Sequence, residues 1–362
     1  MKIKNIFFAA ILVLAGFSCS MEDDAIMNDV EKGIEEATEA YTVLDFGVAF
    51  NEMATKASTT VVPGEDRPAT GDENNDEKKI SEVSVFLLED GKVIGILIPQ
   101  NRNQVSSNSD GSITLKDLKF VTKYKTNRTL EAHVVINGNQ FLKNINIGDA
   151  QSALNQQISG CLSADQLIKY GSTRIVFGKD ITNSYSSPSV AENNPTTILV
   201  KVSHVAARLD FSQFDVTLKG FEGNPTVVFD EAKFVNLQQN GKIVEGDASV
   251  NVKDGAFLNR SNRIGTRWTD FGTAYGYANQ YRQDSEMNTA LYVKFTVDGR
   301  TFEKTYPINP AGITKEVDHN GIKGGYLYDI KVRWTITPDW GDSTIEFYTR
   351  DWVHNSIPEI VL

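Results

Sequence analysis

Tyr326, Tyr328, Ile330, Val332, Trp334 and Ile336 fall at every second position, separated by mostly polar partners. Successive side chains of an extended strand point to opposite faces, so this spacing predicts a strand with one buried side. The same period occurs near the start of the chain. In YTVLDFGVAF, residues 41–50, Leu44, Phe46, Val48 and Phe50 make one apolar face, and Lys56 lies just beyond it among small residues. Further strands are expected at 80–88, closing on Glu89-Asp90-Gly91 and returning over 92–98 as a hairpin, then at 113–120 and 130–136, and at 174–178. A long strand-like run covers 197–211, followed by strands at 215–219 and 225–237 and a hairpin of 291–297 with 300–307 around Asp298-Gly299. Two closing strands are expected at 344–349 and 357–362.

Few segments break this pattern. Between 148 and 170 Asp149 can cap a helix with Leu154 and Ile158 four apart, and Ser163 can open a second short turn. The stretch 59–79 is Pro, Gly, Asp, Glu and Asn, an exposed linker without core residues in which Lys56, just upstream, is open to a protease. The segment 184–195 (SYSSPSVAENNP) reads as a domain boundary, and 259–283, rich in Arg, Asn, Gly and Tyr, as a surface excursion. Many short strands at turn-punctuated spacing predict an all-β chain of two β-sandwich domains in series, with a short helical insertion in the first. The divisions are a leader at 1–19, a tether and first strand at 20–56, an N-terminal sandwich at 57–195 and a C-terminal sandwich at 196–362. The length of 362 residues fits two domains.

The leader has a chemistry of its own. Lys2 and Lys4 precede an apolar run from Ile6 to Leu14, too short for a transmembrane helix, and then small residues lead to Cys19. The ending Ala15-Gly16-Phe17-Ser18-Cys19 reads as a lipobox with Cys19 the acylated residue, the alternative being ordinary signal cleavage beside an incidental cysteine. Cys19 and Cys161 are the two cysteines, so acylation of the first would leave no disulfide. The formal charge of −11 becomes −13 once Lys2 and Lys4 leave with the leader. So acidic a chain lacks the basic face that nucleic acid needs, and membrane contact is expected only through the lipid.

Candidate catalytic chemistry is sparse. His133, His204, His319 and His354 stand singly, without metal-ligand spacing, and no nucleophile, zinc or phosphate-loop motif is present. No cofactor, no metal and no enzymatic activity are expected. The acidic run from Asp72 to Glu77 could attract a cation but lacks the spacing of a defined calcium loop, and reads better as solvated linker. Trp340, Trp352 and the tyrosines Tyr275, Tyr277 and Tyr281 could stack on sugars, although aromatic packing is the commoner use.

Several stretches together resemble the Bacteroidales fimbrillins, the type V pilins. ATKAS at 54–58 is similar to that family's processing site, EAHVVINGN at 131–139 to a strand ending in Asn, and ILVKVSHVAARLDF at 198–211 to the strand opening its second domain. STIEFYTRDWVHNSIPEIVL at 343–362 is similar to its closing strands. The acidic Ser20-Met21-Glu22-Asp23-Asp24 resembles the signal that carries Bacteroidetes lipoproteins to the cell surface, and reads otherwise as a plain tether. The resemblance implies transthyretin-like sandwiches, an outer-membrane lipoprotein precursor and then a cell-surface fimbrium serving adhesion. It implies cleavage between Lys56 and Ala57 by a trypsin-like protease, with Arg67 as a second candidate. Leu44, Phe46, Val48 and Phe50 would be released, and a neighbour's terminal strand, with Ile345, Phe347, Ile357 and Ile360 as anchors, would take their place. Implied partners are other fimbrial subunits (a homopolymer with anchor and tip subunits) and host or bacterial surface receptors. The competing readings are an anchor or tip subunit, or a surface lipoprotein that binds glycan or protein and never polymerises.

Overall fold

In the computed structural model, residues 39–50, 75–109, 112–259, 263–309 and 319–351 are described. The first nine strands are β1 (Tyr41–Phe50), β2 (Val83–Glu89), β3 (Lys92–Leu97), β4 (Val105–Ser107), β5 (Ile113–Lys123), β6 (Thr129–Ile136), β7 (Gln157–Ser159), β8 (Lys169–Val176) and β9 (Thr196–His204). All but β7 join one eight-stranded sheet in the order β3-β2-β6-β8-β9-β1-β5-β4. The sheet curls until its two ends meet. A Cβ on Gly95 of β3 would lie 2.8 Å from the Phe120 ring of β5, so only glycine fits that approach. Inside the curl, Leu44, Phe46, Val48, Val85, Leu87, Leu115, Leu130, Val200 and Val202 form one buried cluster.

The remaining strands are β10 (Ala207–Leu218), β11 (Val227–Val235), β12 (Leu237–Gln238), β13 (Asn240–Lys242), β14 (Val252–Lys253), β15 (Phe257–Asn259), β16 (Arg263–Ile264), β17 (Arg267–Gly276), β18 (Ala290–Val297), β19 (Arg300–Pro307), β20 (Tyr326–Ile336) and β21 (Gly341–Asp351). A sheet ordered β17-β10-β20-β21 faces one ordered β15-β11-β18-β19, with β16 also on β11. Aromatic side chains fill the space between them: Phe214 meets Phe229 edge-on at 5.4 Å and Phe295 at 5.2 Å, and Phe295 meets Trp334 at 5.0 Å. Offset and edge-on ring pairs of this kind add to the burial they bring. The chain is therefore all-β, and two short α-helices, α1 (Asn139–Leu142) and α2 (Pro188–Glu192), occur among the described residues.

The two halves are stitched together. β7 of the first pairs with β13 of the second, Ile158 opposite Gly241. A third apolar cluster takes Phe86, Val135 and Leu142 from one half and Ile243, Tyr277 and Leu327 from the other. The Tyr277 hydroxyl donates to the Gly160 carbonyl at 2.7 Å. The described residues from 40 onward belong to one compact unit.

Four expectations change. The run 197–211 is two strands, because the chain turns at Val205-Ala206, and the change of sheet falls there, with β9 bonded into the first half's sheet. No turn residue marks that turn; Ala206 is buried, and Gly325 N–H donates to its carbonyl at 2.9 Å. The 148–170 segment forms 3-10 turns at Gln151–Leu154 and Ala164–Gln166 around β7, so Ile158 lies on a strand. Within 259–283, β17 is a full strand whose Trp268 and Phe271 enter the second core. The 184–195 loop carries α2 and packs on the first sheet.

Candidate functional site

β1 lies inside its sheet. It pairs antiparallel with β5, Phe46 opposite Leu115 and Val48 opposite Ile113, and parallel with β9, Phe46 opposite Ile198 and Val48 opposite Val200. The alternation read in the sequence fixes which side chains point inward. Leu44, Phe46 and Val48 are fully buried and Phe50 nearly so, all four in the first core. Burying four such side chains is worth about 6–12 kcal/mol before ordering costs.

The outer face of β1 is covered by the segment that the sequence marks as a boundary. Tyr41 and Tyr185 exchange backbone hydrogen bonds, N–H to carbonyl at 2.8 Å in both directions. Two residues on, Ser187 caps α2, accepting from Val190 N–H at 3.4 Å, and Pro188 opens the helix, where its missing N–H costs nothing. The helix lies against β1 and β5. Its buried Ala191 and the fully buried Val43 of β1 make this contact face apolar, and Lys119 of β5 donates to the Glu192 carbonyl at 2.8 Å. A Cβ on Gly47 would stand 3.2 Å from both the Ile113 carbonyl and Leu199, so β1 runs tightly between its neighbours. Two of its polar atoms are left over: among the described residues neither Thr42 Oγ1 nor Asp45 Oδ1, both buried, has a hydrogen-bond partner.

Downstream of Phe50 the chain lies outside the described residues until Asn75, so Lys56, Ala57 and Arg67 cannot be placed. Where it resumes, a 3-10 turn at Asn75–Lys78 carries the fully buried Glu77. Arg208 Nη1 on β10 donates to Glu77 Oε2 at 3.0 Å, Arg208 Nε donates to Asp210 Oδ1 at 3.0 Å, and the Tyr275 hydroxyl of β17 donates to Glu77 Oε1. Thr273 Oγ1 donates to Asp210 at 2.6 Å. Burial works against the Arg208 charge, but Asp210 and Glu77 outweigh it and hold the guanidinium pKa above its usual value. Burial, reinforced by the Glu77 charge, pushes the Tyr275 phenol well up. The residue after the linker is thus pinned to the second half by a buried ion pair. Nothing in the sequence signalled this, because Glu77 and Arg208 lie 131 positions apart.

The other candidates divide. Ile345 sits on β21 opposite Val332, half-buried against the second core, and Phe347 is opposite Ile330; among the described residues β21 is an edge strand with β20 as its one sheet neighbour. Ile357, Ile360, Cys19, His354 and Trp352 lie outside the described residues, as does the acidic run from Asp72 to Asn74. Of that run's remainder, Asp76 pairs with Lys79 at 2.7 Å and Glu77 with Arg208, and no group that could hold a metal occurs among the described residues. His133 is buried between Tyr170, at 2.7 Å, and Glu131; burial lowers its pKa. Cys161 is a half-buried free thiol, accepting from Gln140 at 3.1 Å, its pKa raised by burial. Tyr277 is buried in the junction of the halves and Tyr275 is committed to Glu77, so neither offers a sugar platform; Trp340 is about half exposed at the tip of the β20–β21 turn, 54%. Among the described residues no helix is long and apolar enough to cross a membrane.

No family model matches the chain. No curated protein matches it. Among solved structures it is similar to a candidate cell adhesion protein from Parabacteroides distasonis, with 17% identity and a TM-score of 0.58, over 88% of this chain and 100% of that one. Weaker likenesses include a fimbrilin, FimA, from Porphyromonas gingivalis W83 (14% identity, TM-score 0.48, 87% and 99% covered). Another is a fimbrial assembly protein from Parabacteroides distasonis (17% identity, TM-score 0.46, 85% and 95% covered). At such identity the first likeness shows a shared fold.

Proposed function

We propose that the chain is a structural subunit of a cell-surface fimbria serving adhesion, exported as a lipoprotein on Cys19, cut between Lys56 and Ala57, and polymerised by strand exchange. The observation that carries this reading is the place of β1: it lies between β5 and β9, with neighbours on both sides. Taking it out divides the sheet into β3-β2-β6-β8-β9 and β5-β4 and leaves two facing edges above an apolar trough. Unpaired strand edges of that kind take up a strand from another chain. The edge strand β21 and the residues after it supply the donor, with Ile345, Phe347, Ile357 and Ile360 as anchors. Head-to-tail donation does not close, so it builds an open filament.

The parallel pairing of each half's first strand with a late one, β1 with β9 and β10 with β20, supports two transthyretin-like sandwich domains in series, meeting at Val205-Ala206. The buried Glu77–Arg208 pair supports a cut upstream of residue 75, since the chain beyond such a cut stays anchored. The partners are further copies of this chain, anchor and tip subunits, a trypsin-like protease and surface receptors. The chain does no catalysis and touches the membrane only through its lipid. The non-polymerising glycan-binding reading loses two of its three tyrosines, with Tyr275 and Tyr277 turned inward and Tyr281 alone partly exposed.

The deciding experiment is N-terminal sequencing and intact mass of the protein recovered from the surface of its own cells. A start at Ala57 in material that runs as a ladder of polymers without boiling is expected. A start at acylated Cys19 throughout, with no polymers, would overturn the stalk role.

A further inference from the structure

β1 fits its place imperfectly, and the misfits are polar. Thr42 is fully buried opposite Thr122 of β5, and its hydroxyl finds no partner among the described residues. Asp45 lies where the β1–β5 register slips, between Leu44 and Phe46, and opposite Thr197 of β9; its Oδ1 is buried and unmatched among the described residues. Buried polar atoms are nearly always hydrogen-bonded, and one left unmade costs the folded state its lost hydration. Gly47, pressed under Leu199, adds a residue of low strand propensity. β10, in the same place in the other half, ties most of its polar side chains down: Arg208 to Glu77 and Asp210, Asp210 to Thr273, Ser212 to the Ile330 carbonyl, Gln213 to Asp215. Its one buried oxygen without a hydrogen bond among the described residues, Asp215 Oδ1, still has the Arg267 guanidinium 3.7 Å away, a charge that neither Thr42 nor Asp45 is given.

We propose that β1 is a deliberately imperfect occupant, and that the groove between β5 and β9 is matched to a strand of a second copy of this chain that carries apolar side chains where β1 carries Thr42 and Asp45. The proposal rests on the strand-exchange reading and gives it a direction. While β1 is part of the chain, its high effective concentration beside the groove outweighs the misfits. Once the link is cut that advantage is gone, and contacts alone decide between resident and newcomer. The four inward anchors cannot favour exchange, because any fitting strand supplies equivalents. The two unmatched atoms can, since they count against β1 and against no strand lacking them. The Tyr41–Tyr185 clasp and α2 then slow the departure without altering which strand is preferred.

The test uses the full chain nicked by trypsin between 51 and 74, with β1 still seated, challenged by synthetic peptides of residues 39–50. One peptide has the natural sequence and the other carries Thr42→Val and Asp45→Val. The substituted peptide is expected to displace β1 at a concentration at least tenfold lower than the natural one. In parallel, the intact chain with the same two substitutions should exchange its β1 amide hydrogens at least tenfold more slowly. Equal displacement by the two peptides, or unchanged or faster β1 exchange in the substituted chain, would overturn the inference. Should neither peptide enter the nicked chain while the substituted chain still exchanges more slowly, strand exchange itself would fall and the misfit would stand.

Discussion

The two halves of the molecule contain the same four-strand arrangement, held together by different contacts. In the first, β8, β9, β1 and β5 lie side by side; in the second, β21, β20, β10 and β17 do. Both runs are paired antiparallel, parallel, antiparallel, so β1 and β10 hold corresponding places. Both carry a register slip, β1 between Leu44 and Phe46 and β10 between Phe211 and Gln213. They differ in what holds them. β10 comes after β9 through a two-residue turn and most of its polar groups are hydrogen-bonded, including the buried ion pair to Glu77, while its one unbonded buried oxygen, Asp215 Oδ1, faces the Arg267 charge at 3.7 Å. β1 leads into the stretch 51–74 and keeps two buried polar atoms without partners among the described residues. The two strands thus share a position in their sheets and differ in how their buried polar atoms are partnered and in the chain on their C-terminal side.

The largest effect that separates the two comes from an inward charge. Phe46→Asp and Phe214→Asp each place a carboxylate in a full core, and each should lower stability of the uncut chain by at least about 4 kcal/mol in urea melts. After cutting the cases should part. A chain that has lost β1 no longer contains residue 46, so Phe46→Asp material that survives to be cut should polymerise normally, while Phe214→Asp material should not. Equal damage to assembly by both would mean that β1 stays in the filament.

Next in size is the ion pair that fastens the first half to β10. Glu77→Ala leaves Arg208 buried with only Asp210 for company, and losing one partner of a buried pair costs about 3–5 kcal/mol. We expect about 3 kcal/mol, because Asp210 remains. The loss should be the same in cut and uncut chains, since Glu77 lies after the stretch that holds the candidate cut sites. A loss confined to the uncut chain, read by thermal melting, would show that the pair depends on β1.

Legibility in the sequence divides the two halves in the same way. Period-two alternation marked both β1 and β20, because each lays one apolar face on a core. Asp90-Gly91 and Asp298-Gly299 marked hairpins, and all four residues have positive φ, 49°, 71°, 46° and 81°. β17 was hidden, since its two buried aromatics, Trp268 and Phe271, sit among Arg, Gly and Thr on an edge strand. The turn at Val205-Ala206 was hidden because it is buried and apolar, its tightness set by a distant pair of glycines: a Cβ on Gly324 would lie 2.1 Å from the Val205 carbonyl. The α2 strap offered one buried alanine as its signal. The polar misfits of β1 have no sequence signature at all, because an unmatched hydroxyl is defined by what other strands fail to bring to it.

The smallest effect concerns the wall of the groove and depends on pH. Arg128 donates to Glu89 at 2.6 and 2.8 Å, and also to Thr122 Oγ1 at 2.6 Å and the Lys123 carbonyl at 2.8 Å, tying the end of β5 to β2. The hydrogen bonds from Arg128 hold the Glu89 carboxyl below its usual pKa, against a smaller opposing push from burial. A carboxylate depressed in the folded state stabilises it fully above the unfolded pKa, about 4.3, and that contribution fades as pH falls toward the folded value. Because the pair is partly exposed, its worth stays below about 1 kcal/mol. Acidifying from about pH 6 to about pH 3.5 should therefore raise amide exchange, corrected for intrinsic rates, in β5 and in the β1 residues facing Thr122 and Lys123. Arg128→Met should show the raised exchange already at the higher pH and respond less to acid, while β17, in the matching place of the other half, should behave alike in both chains. If β17 shifted as much as β5, the acid effect would be global, and the wall of the β1 groove would be no softer than its counterpart.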